Sequence, residues 1–130
     1  MAAAGPLKLP VRLKGPLELV GAAVYRDSGI LEVETWWQVM DSPIQRPFSI
    51  MGHLVSADGQ TVEVVDGLGM SPDTLTSGDV IVQRHRFAQP SARPGLALLT
   101  GAYWSDTLAR WDVEGLPSTN GLLLRLDPTP

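Results

Sequence analysis

The sequence predicts an all-β fold: an antiparallel β-sandwich, Ig-like or jelly-roll, of about eight strands. Three observations predict it. The 13 Gly and 11 Pro are spread along the chain and cut it into short segments. Most of those segments alternate apolar and polar residues, the period of a half-buried strand. No apolar stripe of period 3.6 lasts three turns, so an amphipathic helix has nothing to bury.

The elements follow in order. Residues 7–13 alternate loosely between Pro6 and Leu13 and predict a short edge strand, limited by Pro10. Residues 1–16 as a whole read as an extended N-terminal arm or edge strand of one domain that spans 1–130. Residues 17–25 form the next strand, closed by the turn at 26–29. Residues 30–40 give the clearest strand: Leu31, Val33, Thr35, Trp37 and Val39 share one face, and Glu32, Glu34, Trp36 and Gln38 share the other. Strict alternation means that one face is buried and one is wet.

Asp41-Ser42-Pro43 turns the chain, and strands follow at 48–55 and 60–65. Between them Asp58-Gly59 signals a hairpin, because Gly supplies the positive φ that a tight turn needs. Residues 66–79 form a loop that is long for a compact domain, so it either carries function or crosses between sheets. Strands at 80–87 and 96–104 come next, then a short one at 111–113, and Asn120-Gly121 opens the last at 122–126. Helix is confined to the neighbourhoods of Thr74 and Leu108.

Composition narrows the function classes. With 130 residues, 44% hydrophobic and 18% charged, the chain buries a core without staples. The net charge is −4 and the ten basic residues are scattered, so nucleic acid is not an expected partner. With no cysteine, disulfides, thiol nucleophiles and Cys-based zinc sites are excluded. No apolar run approaches the ~20 residues of a membrane span, so the segment is not expected to insert in a bilayer. The N-terminus lacks the apolar core of a signal peptide.

A series of residues carries a family resemblance: Leu19, Gly21 and Ala22; Leu31, Val33, Trp37 and Gln38; Phe48, His53, Leu54, Asp58 and Gly59; Asp66 and Gly67; Gly78, Asp79, Val80, Val82, Arg84 and Pro90; Gly101, Tyr103, Arg110 and Trp111. In this order and spacing the chain resembles the soluble C-terminal β-sandwich domain of bacterial, Chloroflexi-type, multi-pass glycosyltransferase-like membrane proteins. The resemblance covers about residues 17–113. A Trp that relatives carry before the Gly-Asp pair has no counterpart in residues 71–77. The resemblance implies a sandwich outside the catalytic membrane portion and an extracytoplasmic setting. A true start at Met1 implies a cytoplasmic one. It implies no catalytic residues.

The residues themselves point to binding rather than catalysis. There are only two histidines, His53 and His85, and no Gly-x-Ser-x-Gly turn. A hydrolase reading requires one of these histidines in a cleft, within hydrogen-bond reach of a Ser or Asp. The plainer expectation is that each bonds a neighbouring carbonyl or aspartate. The sharper one pairs them with each other or with an Asp as a ligand site. Asp58, Asp66, Asp73, Asp79, Asp106 and Asp112 are turn residues first and calcium ligands second, without EF-hand spacing. No metal site or cofactor is therefore expected.

Trp37 and Tyr103 fall on the apolar phase of their strands and are expected in the core. Trp36 and Trp104 are expected on the opposite faces. An outward Trp beside Glu34 and Gln38 serves a protein interface, sits under a covering loop or forms a platform for a sugar ring. The chain therefore reads as a non-enzymatic accessory or interaction module, with a protein domain or a second copy as partner. The alternative is a carbohydrate-binding module. Candidate ligand-binding residues are Trp36, Glu34, Gln38, Trp104, His53 and His85.

Overall fold

The computed structural model describes residues 9–27, 29–67, 71–88, 95–115 and 119–126. Among these residues, eight strands build two antiparallel four-stranded sheets. They are β1 (Val11–Arg12), β2 (Leu17–Asp27), β3 (Ile30–Val39), β4 (Phe48–Val55), β5 (Thr61–Val64), β6 (Val80–Ala88), β7 (Ala97–Trp104) and β8 (Leu122–Arg125). The first sheet runs β1-β2-β3-β6 and the second β5-β4-β7-β8. The all-β sandwich expected from the sequence is the fold.

Local chemistry places most of these elements. The β2–β3 hairpin turns through Gly29 (φ 81°) and the β4–β5 hairpin through Gly59 (φ 86°). The segment after β5 crosses from the second sheet to the first, one of the two roles its length suggested. Within it Pro72–Thr74 form a single 3₁₀ turn with Pro at its start, and Leu75 then plugs the core. The short strand expected at 111–113 is instead a pair of isolated bridges, Tyr103 to Arg110 and Leu13 to Val113. The expected edge strand at 7–13 is the two-residue β1, and residues 1–8 lie outside the described residues.

The core is divided. One cluster gathers Leu17, Leu19, Trp37, Ile50, Ile81 and Trp111 with their neighbours; the other gathers Leu31, Val33, Leu54, Phe87 and Leu98. Each fully buried aliphatic side chain contributes about 1.5–3 kcal/mol relative to exposure. Between the clusters, at successive positions of four strands, lie Thr35, His85, Gly52 and Thr100. This is a polar layer across the middle of the sandwich, and all four residues are buried.

The layer is fully hydrogen-bonded. Trp37 Nε1–H donates to Thr35 Oγ1 at 2.9 Å, and Thr35 Oγ1 lies 3.2 Å from His85 Nε2. His85 Nδ1 lies 2.9 Å from the Val65 carbonyl, which can only accept, so Nδ1 carries the proton. Nε2 then accepts from the Thr35 hydroxyl. Thr100 donates to the Met51 carbonyl at 2.7 Å. A buried polar group with a partner costs little, and without one it costs the full loss of hydration.

Candidate functional site

The sequence-predicted face is the outer side of the first sheet. On β3 it presents Glu32, Glu34, Trp36 and Gln38, flanked by Gly21, Ala23 and Tyr25 of β2 and by Val80, Val82, Arg84 and Arg86 of β6. Gly21 reaches this face through a bulge. The β2–β3 register shifts between Leu19 and Gly21, so Leu17 and Leu19 point inward while Gly21 stands beside Trp36. The six-membered ring of Trp36 fills the space where a residue-21 side chain would begin. The indole thus covers a backbone gap that a larger residue would close.

Glu34 organises the polar side of this face. It accepts from Arg84 Nε (3.0 Å), from Trp36 Nε1 (3.3 Å) and from the Tyr25 hydroxyl (3.5 Å). The Arg84 guanidinium, aided by Trp36 and Tyr25, holds the Glu34 carboxyl below its ordinary range against the opposing effect of desolvation. Glu32 lies farther from Arg84, at 4.0 Å. Gln38 is half-buried between Glu18 and Val80. Trp36, Val80 and Val82 remain exposed together at 37%, 55% and 47%, an apolar patch at a sheet edge, since β6 is a terminal strand.

Four expectations need correction. Trp104 does not point outward. It packs on the core, 4.8 Å from Trp111, with the Arg46 guanidinium 4.3 Å above its ring. Tyr103 is the outward residue instead, half-buried. The phase of β7 is set by Leu98, Thr100 and Ala102, which all face inward; the adjacent apolar residues Ala97, Leu98 and Leu99 leave that phase ambiguous in sequence. His85 does not serve an accessible site. It is 0% exposed between the sheets, bonded to Thr35 and Val65. Nor does it pair with His53: the two rings lie on opposite faces of the second sheet, His85 over Gly52 and His53 outward.

His53 bonds an aspartate, as the plainer expectation had it, within a cluster whose further member, Tyr103, sequence reasoning missed. His53 Nε2 lies 3.2 Å from Asp66 Oδ1, and Asp66 also accepts the Gly52 amide at 2.8 Å and the Tyr103 hydroxyl at 3.1 Å. Burial, opposed by a Ser49 hydrogen bond and reinforced by Asp66, pushes the Tyr103 phenol above its ordinary range. A hollow beside the cluster is lined by His53, Asp66 and Tyr103 with Met51, Leu108 and Arg110. The only sequence signal was the Asp66-Gly67 pair, which reads as a turn. His53 therefore meets the geometric condition for a hydrolase histidine, but the nearby serines do not complete it. The Ser49 and Ser105 hydroxyls bond each other at 3.0 Å.

Among the described residues no three His, Asp or Glu side chains gather to hold a metal ion. Among them, too, no helix is long and apolar enough to cross a membrane. Compared with protein-family models, curated proteins and solved structures, the chain matches none.

Proposed function

We propose that the chain is a non-enzymatic accessory module that packs against a neighbouring protein domain through the Trp36 face. The observation that carries this reading is the exposed row of Trp36, Val82 and Val80 along the edge of the first sheet. An apolar patch on a free strand edge is a contact surface or a liability. The polar groups beside it are already engaged: Glu34 is occupied by Arg84, Trp36 and Tyr25, which leaves few groups for sugar hydroxyls. Catalysis is disfavoured because Ser49 and Ser105, whose hydroxyls bond each other, do not offer His53 a nucleophile. The setting, an envelope glycosyltransferase-like protein, rests on the sequence resemblance alone.

One observation favours the carbohydrate reading. Trp36 is fixed by its bond to Glu34 and lies over Gly21, with Gln38 on the same face. A held indole is a platform for a sugar ring.

Hydroxyl-radical footprinting of the purified chain and of the same protein in its cells tests the proposal. Trp36 is expected to be oxidised in the first and protected in the second. Equal oxidation in both overturns the contact surface. Quenching of tryptophan emission by an oligosaccharide, lost in Trp36→Ala, replaces it with the carbohydrate reading.

A further inference from the structure

The hollow on the outer face of the second sheet has a volume of ≈ 240 Å³ and is lined by Met51, His53, Asp66, Tyr103, Leu108 and Arg110. It lies on the opposite side of the sandwich from Trp36, so it stands independently of the contact-surface reading. Its polar groups divide into those already engaged and those free.

Asp66 is engaged. Its two oxygens take the Gly52 amide, the Tyr103 hydroxyl and His53 Nε2. A carboxylate only accepts, so in the neutral ring the proton of His53 sits on Nε2 and Nδ1 keeps an open lone pair. Asp66 therefore fixes the orientation of both His53 and Tyr103. Arg110 is free. The ion pairs among the described residues use Arg12, Arg46 and Arg84, and no partner is found there for the Arg110 guanidinium. Its backbone is anchored, because residue 110 bridges to Tyr103.

The rim carries a second unusual feature. Leu108 adopts a left-handed backbone (φ 64°) while the residue is 71% exposed. A branched apolar residue in that region is strained, and strained positions gather at ligand sites. The turn that imposes it is closed by Leu108 N–H to the Trp104 carbonyl at 2.7 Å. Leu108 gives the hollow an apolar rim that a bound carbon skeleton would cover, above the buried Met51.

We propose that this hollow binds a small hydroxylated carboxylate. Arg110 takes the carboxylate through its planar fork, a match that a guanidinium makes bidentately. His53 Nδ1 accepts a hydrogen bond from an adjacent hydroxyl. Leu108 covers the carbon skeleton, and Asp66 and Tyr103 position the imidazole. A monoanion fits better than a phosphate dianion, because one free guanidinium faces the fixed negative charge of Asp66. Two sources share this chemistry: a short hydroxy acid and a sugar acid.

The test is an NMR titration of the whole chain with D-glucuronate, L-lactate, D-glucose and acetate, following the His53 and Tyr103 side chains. One of the two hydroxy acids is expected to shift both residues, ahead of glucose and acetate. A larger response to glucuronate assigns a sugar acid, and a larger response to lactate a short hydroxy acid. Arg110→Gln, with folding checked by thermal melting, is expected to weaken binding roughly ten- to hundredfold, the loss of a charge-assisted hydrogen bond. Should that variant fail to fold, Arg110→Lys keeps the charge without the fork and is expected to bind more weakly than the native chain. No shift with either acid, glucose binding as tightly as glucuronate, or affinity unchanged in the folded Arg110 variant overturns the proposal.

Discussion

The imidazole of His85 occupies the space above Gly52. A side chain at residue 52 would collide with Nδ1 of the ring and with the Val65 carbonyl oxygen. This pairing joins the two sheets at the polar layer, where β6 of the first sheet meets β4 of the second. Gly52 is required here for close approach, and the ring it admits is held by Thr35 on one side and Val65 on the other.

Gly52→Ala is therefore expected to destabilise the fold by about 1–3 kcal/mol, the usual cost of overpacking. Urea unfolding would measure it. Adding His85→Ala is expected to recover only part of the loss, because the Val65 carbonyl belongs to the backbone and cannot swing aside. Full recovery would show that the ring alone sets the constraint.

Thr35→Val keeps the shape of the side chain but removes the hydroxyl. The Trp37 indole N–H would then lose its 2.9 Å acceptor and His85 Nε2 its 3.2 Å donor. Buried groups left without partners cost about 1–3 kcal/mol. Thr35→Ser keeps the hydroxyl and is expected to lose less. Equal losses in the two variants would mean that the methyl, not the hydrogen bond, matters.

Burial lowers the pKa of His85, although the Val65 carbonyl and the charge of Asp66 pull it upward and His53 adds to the lowering. The unfolded chain takes up a proton as pH falls through about 6.5, while the folded chain resists it. The unfolded state then binds more protons, so this group's effect on stability is absent above that pH and becomes increasingly unfavourable below it. The slope contributed by one such group approaches ~1.4 kcal/mol per pH unit at most. Unfolding free energies at pH 7.5 and 5 should differ less in His85→Gln than in the native chain. An unchanged difference would assign the acid sensitivity to other groups.

Tyr103 titrates above the ordinary tyrosine range, chiefly through burial, with Asp66 adding to the shift. Asp66→Asn is expected to lower its pKa partway, because burial stays. Ultraviolet absorbance on raising the pH reads the phenolate directly. Tyr103→Phe identifies the step by removing it, leaving that of Tyr25. An Asp66→Asn curve identical to the native one would show that the carboxylate does not act on the phenol.

Strand β3 was legible without any structure. Leu31, Val33, Thr35, Trp37 and Val39 alternate with polar residues and all five are buried, Val39 at 1% and the rest at 0%. The turns at Gly29 and Gly59 were legible too, because positive φ is a local demand that glycine meets. The candidate site was less so. Trp36 could be placed on the outer face from β3 alone, but its support could not: Gly21 reaches it only because an irregularity in β2 changes that strand's phase. Asp66, His53 and Tyr103 come from three separate segments, and no spacing announces that they meet.

By itself, then, the sequence determined that the chain forms short alternating strands, where they turn, and that the domain is a sandwich. These follow from side-chain periodicity and backbone preference, which act over a few residues. Tertiary structure decided which side of β7 faces in, so that Trp104 fills the core and Tyr103 the outer hollow. It also decided that His85 lies between the sheets and His53 beside Asp66. The reason is that alternation assigns residues to two faces without saying which is inside. That choice depends on what the facing sheet offers, here a glycine at residue 52 that leaves room for a ring.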